Sequence, residues 1–132
     1  MTVIYDKVAV IGMGLIGASI ALAVRRGGLA KTIFGSDQSP EVAAVVARLQ
    51  LVDSFEADAV HAVADADLVI LAVPVGAVGK IAEQIVPHMK SGAVLTDTGS
   101  TKRSVVHDVG PHLRDDIIWL PSHPLAGTEH SG

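Results

Sequence analysis

The chain has 132 residues, 49% hydrophobic but only 3% aromatic, with no cysteine and a formal charge of −4. That length suits one domain, and the missing cysteines exclude disulfides, thiolate metal sites and a cysteine nucleophile. Scattered Lys and Arg on an acidic chain leave no footprint for nucleic acid, so small molecules or protein are the expected partners, and the chain reads as cytoplasmic.

The core must be built from Val, Ile, Leu and Ala, the branched set of strands buried between helices. "KVAVI" (Lys7 to Ile11) is a short apolar run that stops at glycine, and Leu15 to Arg26 follows with helical composition before Gly27-Gly28. The span from Val8 to Val24 is uncharged for 17 residues, with small residues at Gly14/Ala18 and Gly17/Ala21. It is short for a membrane span, and each of its three glycines would cost a helix about 1 kcal/mol. Strand, tight turn and helix is the better reading. "KTIFGSD" (Lys31 to Asp37) is a second strand, and Pro40 opens the helix "PEVAAVVARLQ". Ser54 to Glu56 reads as a short strand and Ala57 to Val63 as a turn or short helix. "DLVILAVP" (Asp67 to Pro74) is a strand, Val75 to Val86 a helix, "GAVLTD" (Gly92 to Asp97) a strand, Thr101 to Leu113 a helix and "DIIWLP" (Asp116 to Pro121) a last strand.

Strands alternating with helices predict an α/β domain of Rossmann type: about six mostly parallel strands, doubly wound, with helices on both faces. In such sheets ligands bind outside the carboxyl ends of the strands. "GMGLIG", Gly12 to Gly17, has the G-x-G-x-x-G spacing after a strand and before a helix, and Asp37 closes the next strand 20 residues after Gly17. Gly12 allows the turn, Gly14 a close approach of pyrophosphate, and Gly17 tight packing of helix on sheet. Asp37 accepts both ribose hydroxyls and repels a 2′-phosphate, while Gln38 and Ser39 bring no cation, so NAD is the expected cofactor. The bland alternative has the glycines only packing and Asp37 capping the helix at Pro40. The cofactor-binding set is Gly12, Gly14, Leu15, Ile16, Gly17, Asp37, Val73, Pro74 and Thr98.

"DTGSTK" (Asp97 to Lys102) lies at another strand end, where Ser100 or Thr101 could cap a helix or orient a substrate alcohol. His61, His88, His107 and His112 fall on helix surfaces or turns, and no pair has metal-ligand spacing, so no metal is expected. His123 follows a strand end between Ser122 and Pro124, beside the crevice, where a neutral imidazole could accept a proton. His130 has less to recommend it.

"VAVIGMGLIGASIALAVRR", "DTGSTK" and "SHPLAGTEHSG", in this order, resemble the nucleotide-binding domain of the prephenate and arogenate dehydrogenases of tyrosine biosynthesis, over essentially the whole chain. The last two motifs are the more specific. The resemblance implies hydride transfer from the carbon bearing the substrate's 4-hydroxyl to NAD, with loss of CO₂ and aromatisation. It implies that His123 and Ser100 are catalytic, and that Ser100, Thr101, His123, Thr128 and Glu129 border the substrate. It further implies a helical domain beyond Gly132 that dimerises and supplies cations for the substrate's carboxylates. The crevice segments here offer only Lys102 and Arg103, so the chain reads as a fragment that binds NAD but turns substrate over poorly. Two other readings stay open on the residues alone: a stand-alone NAD-binding module, and a domain of an NAD-dependent hydroxyacid-type dehydrogenase.

Overall fold

The computed structural model describes residues 4–98 and 108–121. Within them the chain runs β1 (Tyr5–Ile11), α1 (Leu15–Gly27), β2 (Ala30–Ser36), α2 (Pro40–Leu49), β3 (Ser54–Glu56), α3 (Ala59–Val63), β4 (Leu68–Leu71), α4 (Val75–Ile85), β5 (Val94–Asp97) and β6 (Ile118–Leu120). All strand pairs are parallel and form one six-stranded sheet in the order β3-β2-β1-β4-β5-β6. The order reverses between β1 and β4, the switch point at which open α/β sheets bind ligands.

The near-continuous apolar runs follow from burial on both faces. Val8 and Val10 turn to one side, where they pack with Ala21 and Val24 of α1 and Val46 of α2. Ala9 and Ile11 turn to the other, against Ala62 and Val63 of α3 and Val78, Ala82 and Ile85 of α4. The pleat alternates and both directions meet a helix, so no polar position is needed in the central strands.

Local chemistry sets the element ends. Gly28, in the left-handed region at φ 63°, caps α1, and Arg25 and Arg26 sit in its last turn, where cations meet the negative end of the helix dipole. Ser39 caps α2 by accepting a hydrogen bond from the Val42 amide, with Pro40 in the first turn. Asp58 caps α3 by accepting from the Val60 amide, which starts that helix at Ala59 rather than at the expected Ala57. Helix α4 stops at Ile85 and tightens into a 3₁₀ turn, Val86–His88, around Pro87, whose missing N–H cannot continue the ladder. Of the helix expected over Thr101 to Leu113, residues 101–107 lie outside the described residues. Its end differs from expectation, since Gly110–His112 is a 3₁₀ turn around Pro111.

The amino-terminal edge of the sheet is closed by ionic contacts. The Asp67 carboxylate accepts from the amides of Asp6 and Lys7 at 2.8 and 3.0 Å and pairs with the Lys90 ammonium, joining β1, β4 and the approach to β5. The Lys90 hydrogen bond, then the Lys7 amide, hold the Asp67 carboxyl below its ordinary value, and the same pairing raises Lys90. Lys7, whose ammonium lies 3.8 Å from the Phe34 ring centre, is lowered by burial. Arg114 donates to the carbonyls of Val86 and Met89 at 2.6 and 2.9 Å and to both oxygens of Asp116, tying the entry to β6 to the end of α4. That pairing raises Arg114 and lowers Asp116. Among the described residues no helix is long and apolar enough to cross a membrane.

Candidate nucleotide-binding site

At the carboxyl edge the chain leaves β1 through Gly12, at φ +95°, a conformation that side chains rarely adopt. Its amide donates to the Ser36 carbonyl at 2.7 Å, and a Cβ at this position would sit 2.7 Å from the Ala72 carbonyl oxygen. The turn is therefore pressed between β2 and β4. At Gly17 a Cβ would lie 1.8 Å from the Gly12 carbonyl oxygen, so α1 can rest on the turn only without a side chain there. Met13, between the first two glycines, is buried beneath the turn.

Gly14 is different in kind. It is the N-cap of α1 at φ −68°, which any residue can adopt, and a Cβ there would meet nothing within 4 Å. No side chain caps α1 and no acid lies in its first turn, so the first-turn amides and the positive end of the helix dipole are unspent. Space above Gly14, bare amides and a positive helix end are what a pyrophosphate needs.

Across the turn, the Asp37 carboxylate accepts from the Met13 amide at 2.8 Å and from the Ser39 amide at 2.9 Å, one bond to each oxygen. It thereby ties the glycine turn to the start of α2. Ser39, not Asp37, supplies the cap of α2, and each carboxylate oxygen keeps a further acceptor site for a hydroxyl.

These groups open on a cleft of about 1360 Å³ lined by Gly12, Gly14, Leu15, Ile16, Asp37, Val73, Pro74 and Thr98. Every residue of the expected cofactor set is there except Gly17, which packs beneath. Leu15 and Ile16 are well exposed and form an apolar wall. The Thr98 amide donates to the Leu71 carbonyl at 3.0 Å, its hydroxyl to the same oxygen at 3.3 Å, which holds the ends of β4 and β5 together at the far side. Among the described residues no Lys or Arg lines the cleft, and the charged side chains there are Asp37 and Asp58. Those carboxylates accept hydroxyls and repel a phosphate placed beside them.

The sequence reading missed one side of this cleft. Ser36, Ala57 to Val60 and, on α4, Ala77 and Gln84 also line it. The Asp58-x-Val60 cap marks the start of α3, and the carboxyl end of β3 belongs to the same edge as that of β2, which was the available signal. Ser100, Thr101, His123, Thr128 and Glu129 lie outside the described residues, as does His107. His61 is exposed on α3, 4.0 Å from Glu56, and His88 and His112 lie in the two 3₁₀ turns. No group of metal-ligating side chains occurs among the described residues.

Residues 20–132 match the model of the family described as the nucleotide-binding domain of prephenate dehydrogenase. That match begins inside α1, after the glycine turn. The chain is 41% identical over 129 residues to the cyclohexadienyl dehydrogenase of Zymomonas mobilis, covering 98% of this chain and 44% of that protein. It is 34% identical over 128 residues to the prephenate dehydrogenase of Bacillus subtilis, covering 96% and 34%. The solved prephenate dehydrogenase of Aquifex aeolicus in complex with hydroxyphenyl propionate and NAD+ superposes with a TM-score of 0.80 at 29% identity, over 92% of this chain and 42% of that one. A Synechocystis arogenate dehydrogenase gives 0.73 at 28% identity, over 80% and 37%. The chain thus spans less than half the length of the relatives it matches. With a family match over most of its residues, a Rossmann sheet and a glycine turn built for a dinucleotide, this chain belongs to the prephenate dehydrogenase family, as its nucleotide-binding domain.

Proposed function

We propose that this chain binds NAD and serves as the cofactor domain of an enzyme that oxidatively decarboxylates prephenate or arogenate. The observation that carries this reading is the open space over Gly14, faced by the uncapped first turn of α1 and flanked by Asp37. The Aquifex relative, solved in complex with hydroxyphenyl propionate and NAD+, supports NAD as the cofactor and a hydroxyphenyl compound as ligand of the longer protein.

In this reading the first-turn amides of α1 hold the pyrophosphate, Asp37 accepts the adenosine ribose hydroxyls, and the carboxyl ends of β4 and β5, at Val73, Pro74 and Thr98, border the nicotinamide. When bound, NAD supplies the acceptor for a hydride. His123 takes the proton of the substrate's 4-hydroxyl, and Ser100 orients that hydroxyl. Thr101, Thr128 and Glu129 line the approach of the substrate. The cations needed for two substrate carboxylates come from the part of the enzyme outside this chain, which also makes the homodimer. The enzyme works on a small molecule in the cytoplasm, with neither nucleic acid nor membrane as partner.

Titration calorimetry of the wild type and Asp37→Ala with NAD and NADP tests the cofactor assignment. Asp37 also holds the Met13 amide, so its loss weakens both cofactors through the turn. The ribose contact adds a further penalty for NAD alone, about tenfold for hydrogen bonds to a charged group. Equal losses for the two cofactors would contradict the ribose role.

A further inference from the structure

Ser36 is the last residue of β2, and only 1% of its surface is exposed. Its neighbours Ile33 and Gly35 turn toward α1 and α2: Ile33 packs in that cluster, and a Cβ on Gly35 would meet the Met13 sulfur at 3.0 Å. By the strand's two-residue period, Ser36 turns with Phe34 to the α3 side. Its carbonyl is spent on the Gly12 amide at 2.7 Å. Its hydroxyl makes no hydrogen bond among the described residues, yet it is not sealed in the core, where the enclosed polar atom without a partner is Trp119 Nε1. Its opening is into the cleft that Ser36 lines. A hydroxyl almost wholly removed from water and left unpaired is costly, and a ligand that supplies the partner recovers that cost.

The position selects the ligand. Ser36 adjoins Asp37 and lies on the β2–β3 side of the glycine turn, whereas Thr98 lies across the turn at the end of β5. Ala57, Ala59 and Val60 form an apolar wall of small side chains beside it, and the nearby Asp58 carboxylate is engaged by the Val60 amide. An apolar slot with one donor-acceptor hydroxyl suits a planar heterocycle on a ribose. We infer that the Ser36 hydroxyl is a specificity-determining contact to the adenosine half of the dinucleotide, made in the slot between the end of β2 and the start of α3. This rests on the nucleotide-binding reading above and assigns a residue to its adenosine end.

Titration of the 132-residue chain and of Ser36→Ala with NAD and with AMP, which carries the adenosine half alone, tests the inference. Thermal unfolding of both proteins without ligand accompanies it. Ser36→Ala weakens both ligands about fivefold, the net worth of one neutral hydrogen bond. The unfolding temperature without ligand is unchanged or rises, because the hydroxyl that the substitution removes makes no hydrogen bond within the described fold. Unchanged AMP affinity in Ser36→Ala, or a loss seen with NAD alone, overturns the inference while leaving the nucleotide site intact. A wild-type chain that takes up neither ligand overturns the nucleotide-binding reading, and this inference with it.

Discussion

The three glycines of the turn have separate physical duties, and substitution separates them. A side chain at Gly17 would overlap the Gly12 carbonyl, whereas one at Gly14 would project into open space. Gly17→Ala is expected to lower stability by roughly 1–3 kcal/mol, the usual cost of forcing atoms into a packed contact, as read from urea unfolding. Gly14→Val is expected to unfold at nearly the wild-type denaturant concentration and yet lose most of its NAD affinity, because the added methyls occupy the space above the α1 amides. A Gly14→Val protein that binds NAD normally would remove that space from the site. All three glycines and Asp37 were legible in the sequence, since spacing, the preceding strand and the acid at the next strand's end carry their own geometry. The bond from Asp37 to the Met13 amide was not legible. It depends on where β2 delivers its last residue beside the turn, which no local pattern encodes.

Among the elements, the amino-terminal edge is where pH reaches the fold. Asp67 accepts two β1 amides and pairs with Lys90, and its pKa lies below the ordinary carboxylate value. A depressed carboxylate contributes stability that is complete above the unfolded value near pH ~4 and is lost as pH falls through the lower folded value. Asp67→Asn is therefore expected to unfold several degrees below wild type at pH 7, with the gap between the two melting temperatures narrowing as pH falls below the ordinary carboxylate value. A gap that does not narrow with falling pH would assign the effect to shape rather than to charge. The strands were legible in the sequence, although β1 and β2 begin earlier than expected, at Tyr5 and Ala30, and β4, β5 and β6 are shorter than their apolar runs. The breaks at Pro87 and Pro111 were weaker signals, because a proline in an apolar run only suggests where a helix tightens. The short α3 was ambiguous for a related reason: five residues carry too little period to separate a turn from a helix.

For the whole molecule, sheet order makes residues far apart in the chain into one site. The reversal between β1 and β4 brings Gly14, Asp37, Val73 and Thr98 to a common cleft, and a parallel sheet with right-handed crossovers leaves few other arrangements. That is why the cofactor side could be read from strand ends alone, while the wall formed by Ala57 to Val60 depended on the pairing of a three-residue strand. The proposed catalytic motifs, with Ser100 and His123, lie outside the described residues, and their assignment rests on resemblance. The central claim is that a dinucleotide lies along the carboxyl edge of this sheet, across the glycine turn. An amide-resolved NMR titration of the ¹⁵N-labelled chain with NAD tests it most directly. The account predicts that the amides of Gly12 to Gly17, Asp37, Gln38, Ala57 to Val60, Val73 and Val75 to Ala77 shift together and saturate with one affinity. Shifts confined to the groove between α1 and α2 around Val42, Val45 and Leu49, or no shifts at all, would contradict it.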